Sequence, residues 1–181
     1  MNKTNMPIYQ VKITLQEIEP AIWRRVLVSS SITLAEFHQV IQAAMGWENA
    51  HLHMFKVGDI RFITPYDTSA LIEMTAIDAR QVQLCHIVPI RKPFRGEFGF
   101  EMDYEYDFGD DWQHRITFED VLPPDPKQKI PTCTDGARAC PPEDIGGIWG
   151  YQELTESDSS FDAEKFEIHK VNKRIKEYLK S

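Results

Sequence analysis

The sequence predicts an α+β fold: a largely antiparallel sheet built from two β-hairpins, with helices packed on it. Two pairs of segments carry the period-two alternation of apolar and polar residues that marks half-buried strands. A short connection joins the two segments of each pair. Helical signals separate groups of strands and do not follow every strand, so the order differs from that of a regular βαβ protein.

The first predicted hairpin comprises residues 8–16 and about 22–28. Four side chains of its first strand alternate onto one face: Tyr9, Val11, Ile13 and Leu15. Residues 17–20 suit a connection, because Pro20 has no backbone N–H to donate to a ladder.

A helix is predicted between Thr33 and Gly46. Thr33 and Glu36 have the spacing of a capping box, and Gly46 has the position of a C-terminal cap. Apolar residues recur between them at helical spacing: Phe37, Val40, Ile41, Ala44 and Met45. His38 lies among polar neighbours, so we expect its imidazole to face solvent.

The central segment returns to strand character over residues 51–63, with a turn at Gly58-Asp59. Asp78 with Gln81 then predicts the start of a helix that continues to about Val88.

The segment 123–160 is rich in proline and glycine, and we expect loops that wrap the core. Its large apolar residues need burial: Ile145, Ile148, Trp149, Tyr151 and Leu154. Asp162 is predicted to cap a terminal amphipathic helix.

The second hairpin, residues 98–108 and 112–121, is the most informative part of the chain. Apolar residues of its first strand fall on one face: Met102, Tyr104, Tyr106 and Phe108. Carboxylates crowd the other face and the turn at Gly109-Asp110, without a basic residue among them: Glu101, Asp103, Glu105, Asp107, Asp110 and Asp111. The pattern indicates either a solvated acidic face or a polar site.

The two hairpins resemble each other where their second strands begin, at Trp23-Arg24-Arg25-Val26 and Trp112-Gln113-His114-Arg115-Ile116. An internal duplication is therefore one interpretation. No composition shift marks a boundary, and we expect one domain over residues 1–181.

The chain has 181 residues and a net charge of −8. No apolar leader or membrane-spanning segment is present, and three cysteines fit a reducing compartment, so we expect a soluble cytoplasmic protein without membrane contact. Acidic charge does not favour nucleic acid as a partner. DNA binding through Arg24, Arg25 and the basic terminal helix remains an alternative hypothesis.

Three side chains near the second turn have the donor types of a divalent-metal site: Asp107, Asp111 and His114. In the structural alternative, the aspartates accept hydrogen bonds from backbone amides of the turn, and His114 packs in the core beside Trp112 and Ile116. This alternative is favoured, because isolated motifs are weak signals. The default expectation is no cofactor, with a divalent metal as the alternative. His51 and His53 would be half of a second metal site.

Two other motifs carry weaker signals. Cys133 and Cys140 have neither the spacing of a zinc site nor a local base, so they are predicted to be packed thiols. The proline- and glycine-rich stretch 141–151 lacks the Lys-Ser/Thr of a phosphate-binding loop, and tight packing explains its glycines.

Four stretches together resemble the plasmid pRiA4b ORF-3-like family, which includes resolvase-like passenger proteins of insertion elements. They are IEPAIWRR, LAEFHQVIQAAMGWENAHLHMF, YEYDFGDDWQHRI and CTDGARACPPEDIGGIWGY, at residues 18–25, 34–55, 104–116 and 133–151. The resemblance implies an α+β domain whose DFGDDWxH and ACPPEDxGG segments lie near each other. It brings no established reaction. Residues 152–160 are short relative to the family, which implies that a surface helix is missing.

The leading hypothesis is a non-enzymatic binding or accessory module associated with mobile genetic elements. Its candidate binding surface is the acidic strand with the Trp/Gly loop: Asp107, Asp110, Asp111, Trp112, His114, Glu143, Asp144 and Trp149. Such a surface favours a basic protein segment or a cation as partner. The alternative is a divalent-metal-dependent hydrolase or nuclease, with the ion on Asp107, Asp111 and His114 and with Glu143 or Asp144 as general base.

Overall fold

The computed structural model describes residues 6–66, 68–90 and 98–178. The strands are β1 (Ile8–Leu15), β2 (Trp23–Ser29), β3 (His53–Val57), β4 (Ile60–Ile63), β5 (Ala76–Asp78), β6 (Phe100–Tyr106), β7 (Trp112–Leu122) and β8 (Thr132–Ala137). The α-helices are α1 (Leu34–Met45), α2 (Thr68–Glu73), α3 (Gly147–Ser157) and α4 (Ile168–Tyr178).

The strands form one sheet in the order β5-β4-β3-β6-β7-β1-β2-β8. Neighbours pair antiparallel, apart from β4 and β5, which are parallel. The two predicted hairpins, β1–β2 and β6–β7, both form and lie side by side because β1 pairs with β7. The α+β class and the largely antiparallel sheet are therefore confirmed.

The predicted alternation along the strands builds the core. Val11 and Ile13 of β1 and Tyr104 of β6 are fully buried, and they join one cluster with the apolar side of α1. The capping box of α1 is confirmed, since the Thr33 side chain accepts from the Glu36 backbone N–H and the Glu36 carboxylate accepts from that of Thr33. Gly46 ends the helix at a φ of 98°.

The prediction that His38 faces solvent is wrong. Its imidazole is 4% exposed and stacks on that of His53, with ring centroids 3.4 Å apart. Its two ring nitrogens make hydrogen bonds with the Tyr104 hydroxyl and the Asn49 side-chain oxygen. These partners lie outside α1, 11 and 66 residues along the chain, and they satisfy the buried ring, which its polar neighbours in sequence do not reveal.

The predicted helix from Asp78 to about Val88 is also absent. Asp78 does act as a cap, but only two short 3₁₀ turns follow, at Ala79–Gln81 and Leu84–His86. Val82 between them is extended, because its carbonyl accepts from the Leu34 backbone N–H. Docking against the start of α1 therefore prevails over the local helical signal.

The segment 123–160 is more regular than predicted. It contains β8, which pairs with β2, and the helix α3. Tyr151 is buried as expected, but Trp149 is 82% exposed, because α3 turns it away from the face that carries Tyr151. The terminal helix α4 begins at Ile168, and Asp162 instead accepts from the Glu164 backbone N–H in a preceding turn.

Among the described residues, no helix combines the length and the apolar composition that crossing a membrane would require.

Candidate functional site

The acidic face of β6 is neutralised by the neighbouring strands. Arg115 of β7 forms ion pairs with Glu101 and Asp103, each at 3.1 Å. Lys56 of β3 pairs with Glu105 at 2.8 Å. Cross-strand pairing therefore accounts for these three carboxylates, and the unusual charge lies beyond the end of the strand.

Asp107 leaves β6 in a tight turn. Its backbone is in the left-handed region at a φ of 54°, and its Oδ1 accepts from the Gly109 backbone N–H at 2.9 Å. Its own backbone N–H donates to the Leu52 carbonyl, which places the segment before β3 beside it. Asp107 is only 8% exposed, so its second carboxylate oxygen, Oδ2, belongs to a partly enclosed site.

The segment 141–146 reaches the same place from the far end of the chain. The Trp47 indole N–H donates to the Pro141 carbonyl at 3.0 Å, which fixes the start of the segment. Glu143 accepts from the Tyr106 hydroxyl and from the Glu48 backbone N–H. The Gly146 backbone N–H donates to the Asp110 carboxylate at 3.1 Å. The DFGDDWxH and ACPPEDxGG segments therefore lie together, as the resemblance implies.

His51 lies between these two segments. Its Nε2 is 2.7 Å from Asp144 Oδ1, 3.5 Å from Asp107 Oδ2 and 3.9 Å from Glu143 Oε1. We call His51, Asp107, Glu143 and Asp144 the acidic cluster. One atom each of His51, Asp107 and Asp144 lies within 4.8 Å of the others, which makes them the set, within the described ranges, that could hold a metal ion.

The structure separates the other candidate residues from this cluster. Trp112 and His114 are 2% and 1% exposed and belong to the core, where His114 Nδ1 faces the backbone carbonyls of Tyr104 and Trp112. Asp111 is exposed and accepts from the Gln113 side chain. His114 and Asp111 therefore lie outside the set that the structure gathers around Asp107.

The sequence analysis paired His51 with His53 as half of a metal site, whereas the structure places His51 beside Asp144. His53 is buried and its Nε2 is 3.3 Å from the Thr64 hydroxyl, whereas His51 Nε2 faces Asp144. The alternation of His51 and His53 does not apply, because β3 begins only at His53. The available signal for His51 was its place in the family-like stretch 34–55.

The cysteines are free thiols, as predicted. Burial raises the pKa of both Cys133 and Cys140, so neither has the character of an activated nucleophile.

The two arginines proposed for DNA contact are engaged within the protein. The Arg24 side chain is buried and donates to backbone carbonyls, including that of Ala137 at 2.7 Å. Arg25 pairs with Glu119 at 2.6 Å and with Asp135 at 3.1 Å. Neither guanidinium is therefore free to bind a phosphate backbone in this structure.

Comparison with known proteins agrees with this architecture. A family model for plasmid pRiA4b ORF-3-like protein matches residues 7–180. The uncharacterized protein y4hQ of Sinorhizobium fredii (strain NBRC 101917 / NGR234) is 40% identical over 150 residues, which cover 83% of this chain and 72% of that protein. The crystal structure of a protein of unknown function, MM3350 from Methanosarcina mazei Go1, has a TM-score of 0.79 at 30% identity and covers 93% of this chain and 98% of its own. The chain therefore belongs to the plasmid pRiA4b ORF-3-like family.

Proposed function

We propose that the protein is a binding module whose ligand is a divalent cation, held by His51, Asp107 and Asp144. The observation that carries this proposal is the convergence of three ligand atoms from separate segments within 4.8 Å. One imidazole nitrogen with carboxylate oxygens is a donor set that suits Zn²⁺ or Mn²⁺.

The distances within the acidic cluster support this proposal. Zinc binds nitrogen and oxygen ligands at about 2.0–2.2 Å, so two ligand atoms of one ion are at most about 4.4 Å apart. The 3.5 Å between His51 Nε2 and Asp107 Oδ2 lies within this limit. The 2.7 Å contact with Asp144 is a hydrogen bond that the ion would replace. The Asp144 side chain is 71% exposed, so it has room to move away from His51 and admit an ion between the two.

Charge also favours a cation. Three carboxylates face one imidazole, so the acidic cluster is negative even when His51 carries a proton. Like charges held together repel one another, and a bound divalent cation offsets this repulsion.

The test is a titration of Mn²⁺ and Zn²⁺ into protein that has been purified without chelators and passed over a chelating resin. Isothermal titration calorimetry gives the affinity, and elemental mass spectrometry gives the metal retained. Asp107→Asn is expected to weaken binding by about tenfold or more, because it removes a charged ligand. Asn tolerates the left-handed backbone of this position.

Asp111→Asn is the matched control. Asp111 lies in the same turn with nearly the same φ, 55° against 54° for Asp107, but is exposed and outside the acidic cluster. We expect Asp111→Asn to bind metal with the affinity of the wild type. Loss of binding on Asp111→Asn as well as on Asp107→Asn would instead favour the ligand set predicted from the sequence, Asp107, Asp111 and His114. No saturable binding of either ion would overturn the cation proposal.

Glu143 favours metal-dependent hydrolysis as a second candidate function. Its Oε1 is 3.9 Å from His51 Nε2, so it lies beside the proposed ion without belonging to the three-residue set. A carboxylate in this position can take a proton from a metal-bound water. Metal-loaded protein should then cleave bis(p-nitrophenyl) phosphate, and Glu143→Gln should lose turnover while retaining the ion. Metal binding without turnover of this and other phosphodiesters leaves the binding module.

A basic protein segment is the alternative partner for the same surface. The family's description names a plasmid, which supports an accessory role in mobile genetic elements. A lysine-rich peptide that competes with Mn²⁺ for the wild-type protein, and does not bind Asp107→Asn, would favour this partner.

A further inference from the structure

A second charged site lies next to the C-terminal end of α1, in a cavity of about 260 Å³. Residues of β2, α1, α4 and the segments before α3 and α4 line it. Its charged lining residues are Arg24, Lys165, Glu167, Lys170 and Arg174. Four cationic side chains face one carboxylate there, although the chain as a whole has a net charge of −8. We call this site the arginine cavity.

Arg24 contributes a buried positive charge. Its side chain is 3% exposed, and its guanidinium donates to the backbone carbonyls of Trp23, Ala44, Ala137 and Arg138 and to the Cys140 sulfur. Carbonyls satisfy its N–H groups but do not neutralise its charge. Across the part of the chain that the structure describes, no carboxylate forms an ion pair with Arg24.

Arg174 presents unused donors beside this charge. Its Nε donates to the Ala43 carbonyl at 2.9 Å, but Nη1 and Nη2 have no hydrogen-bond acceptor within residues 6–66, 68–90 and 98–178. Gly46 makes room for them, since a Cβ at that position would lie 3.3 Å from Nη2. Burial lowers the pKa of Arg174, and the charge of Arg24 adds to that effect.

The end of α1 explains only part of this arrangement. The carbonyls of Ala43 and Ala44 are at the negative end of the helix dipole, and the Nε atoms of Arg174 and Arg24 satisfy them. This capping role leaves the terminal amino groups of Arg174 without a function. Lys165 and Lys170 both pair with Glu167, at 3.5 Å and 2.7 Å, so one carboxylate offsets only part of the positive charge at the cavity.

We propose that the arginine cavity binds a small, multiply charged oxyanion, with Nη1 and Nη2 of Arg174 as paired donors to one carboxylate or phosphate group. The planar fork of a guanidinium matches two oxygens of either group. Lys170 and Lys165 add positive charge at the rim. The volume lies below the roughly 300–1,000 Å³ of sites for drug-sized ligands, which indicates a compact anion.

The test titrates citrate, pyrophosphate and inorganic phosphate into metal-free protein at constant ionic strength. Metal-free protein is needed because citrate and pyrophosphate chelate divalent ions. Saturable heat with citrate alone identifies a carboxylate ligand, and saturable heat with the phosphates alone identifies a phosphate ligand. Asp107→Asn is expected to bind the anion as the wild type does, which separates this site from the acidic cluster.

Arg174→Gln is expected to weaken anion binding by about tenfold or more, because it removes a charge-assisted pair of donors. The Lys170 side chain is 56% exposed, so Lys170→Gln should weaken anion binding several-fold with little effect on folding. This variant provides the test if Arg174→Gln does not fold. Lys176→Gln is the matched control, since Lys176 is exposed on the same helix and does not line the cavity. Absence of saturable binding for all three anions, or an equal loss in Lys176→Gln and Lys170→Gln, would overturn the proposal.

Discussion

The arginine cavity and the acidic cluster share one short segment, residues 140–144, and are built in opposite ways. Residues 140–142 line the cavity, whereas Glu143 and Asp144 enter the cluster. Arg24 is fixed in the core by carbonyls of the strand region, while Asp107 and Asp144 are mounted on turns at positive φ. We infer that the cavity's charge is part of what holds the fold together, and that the cluster's charge is not.

The strongest test of this difference is Arg24→Met. Removal of the guanidinium leaves several buried carbonyls without donors, so we expect a loss of about 3–5 kcal/mol in the free energy of unfolding. Chemical denaturation followed by circular dichroism measures this loss. Arg25→Met is the control, because Arg25 is partly exposed and pairs with surface carboxylates; it should lose about 1 kcal/mol or less. Equal losses would show that Arg24 does not stabilise the fold in the way we infer.

A second prediction concerns the core that supports the acidic cluster. His114 packs against Trp47, which stacks on Tyr106, whose hydroxyl donates to Glu143. Burial lowers the pKa of His114 to about 4. Between about pH 6.5 and pH 4 the unfolded imidazole binds a proton and the folded one does not. Stability due to His114 is therefore complete above pH 6.5 and decreases by about 3 kcal/mol as the pH falls through this window.

His114→Phe should flatten the pH dependence of the free energy of unfolding by that share. Burial also lowers the pKa values of His38 and His53, so part of the slope remains. His169→Phe is the control, because the His169 side chain is 74% exposed. A His114→Phe variant with the slope of the wild type would show that the folded protein tolerates a charged imidazole at this position.

Local sequence signals predicted the elements whose cause is local. The capping box at Thr33, the stop at Gly46 and the Gly109-Asp110 turn each depend on residues within a few positions of one another. The exposure of His38 and the helix after Asp78 were predicted wrongly, because tertiary contacts with other elements decide both. Trp149 illustrates a third case, in which a large apolar residue is exposed although composition alone favours burial.

Some residues of the candidate site were predicted from the sequence, and others are evident only in the structure. The sequence singled out Asp107, Glu143 and Asp144 by their charge and their place in family-like segments, and the structure brings them together. His51 was not among them, because its proximity to Asp144 depends on a contact across 93 residues. The alternative hypothesis of DNA binding needed a solvent-facing Arg24, whereas its guanidinium is buried among carbonyls that are invisible in the sequence.

Gly147 holds the segment that carries Asp144 close to the turn that carries Asp107, and we expect its substitution to have the smallest effect on stability. Gly147 has a φ of 68°, and a Cβ there would lie 2.6 Å from the Asp110 carbonyl oxygen. Gly147→Ala should therefore cost about 2 kcal/mol and weaken cation binding, since the segment that carries Asp144 must move away from the turn. Gly146→Ala is the matched control, because Gly146 has a φ of 88° but open space around its Cβ position. It should lose about 1 kcal/mol, as measured by chemical denaturation. If the two variants lose equal stability and equal affinity for Mn²⁺, backbone strain alone governs both positions, and the contact between Gly147 and Asp110 does not position the acidic cluster.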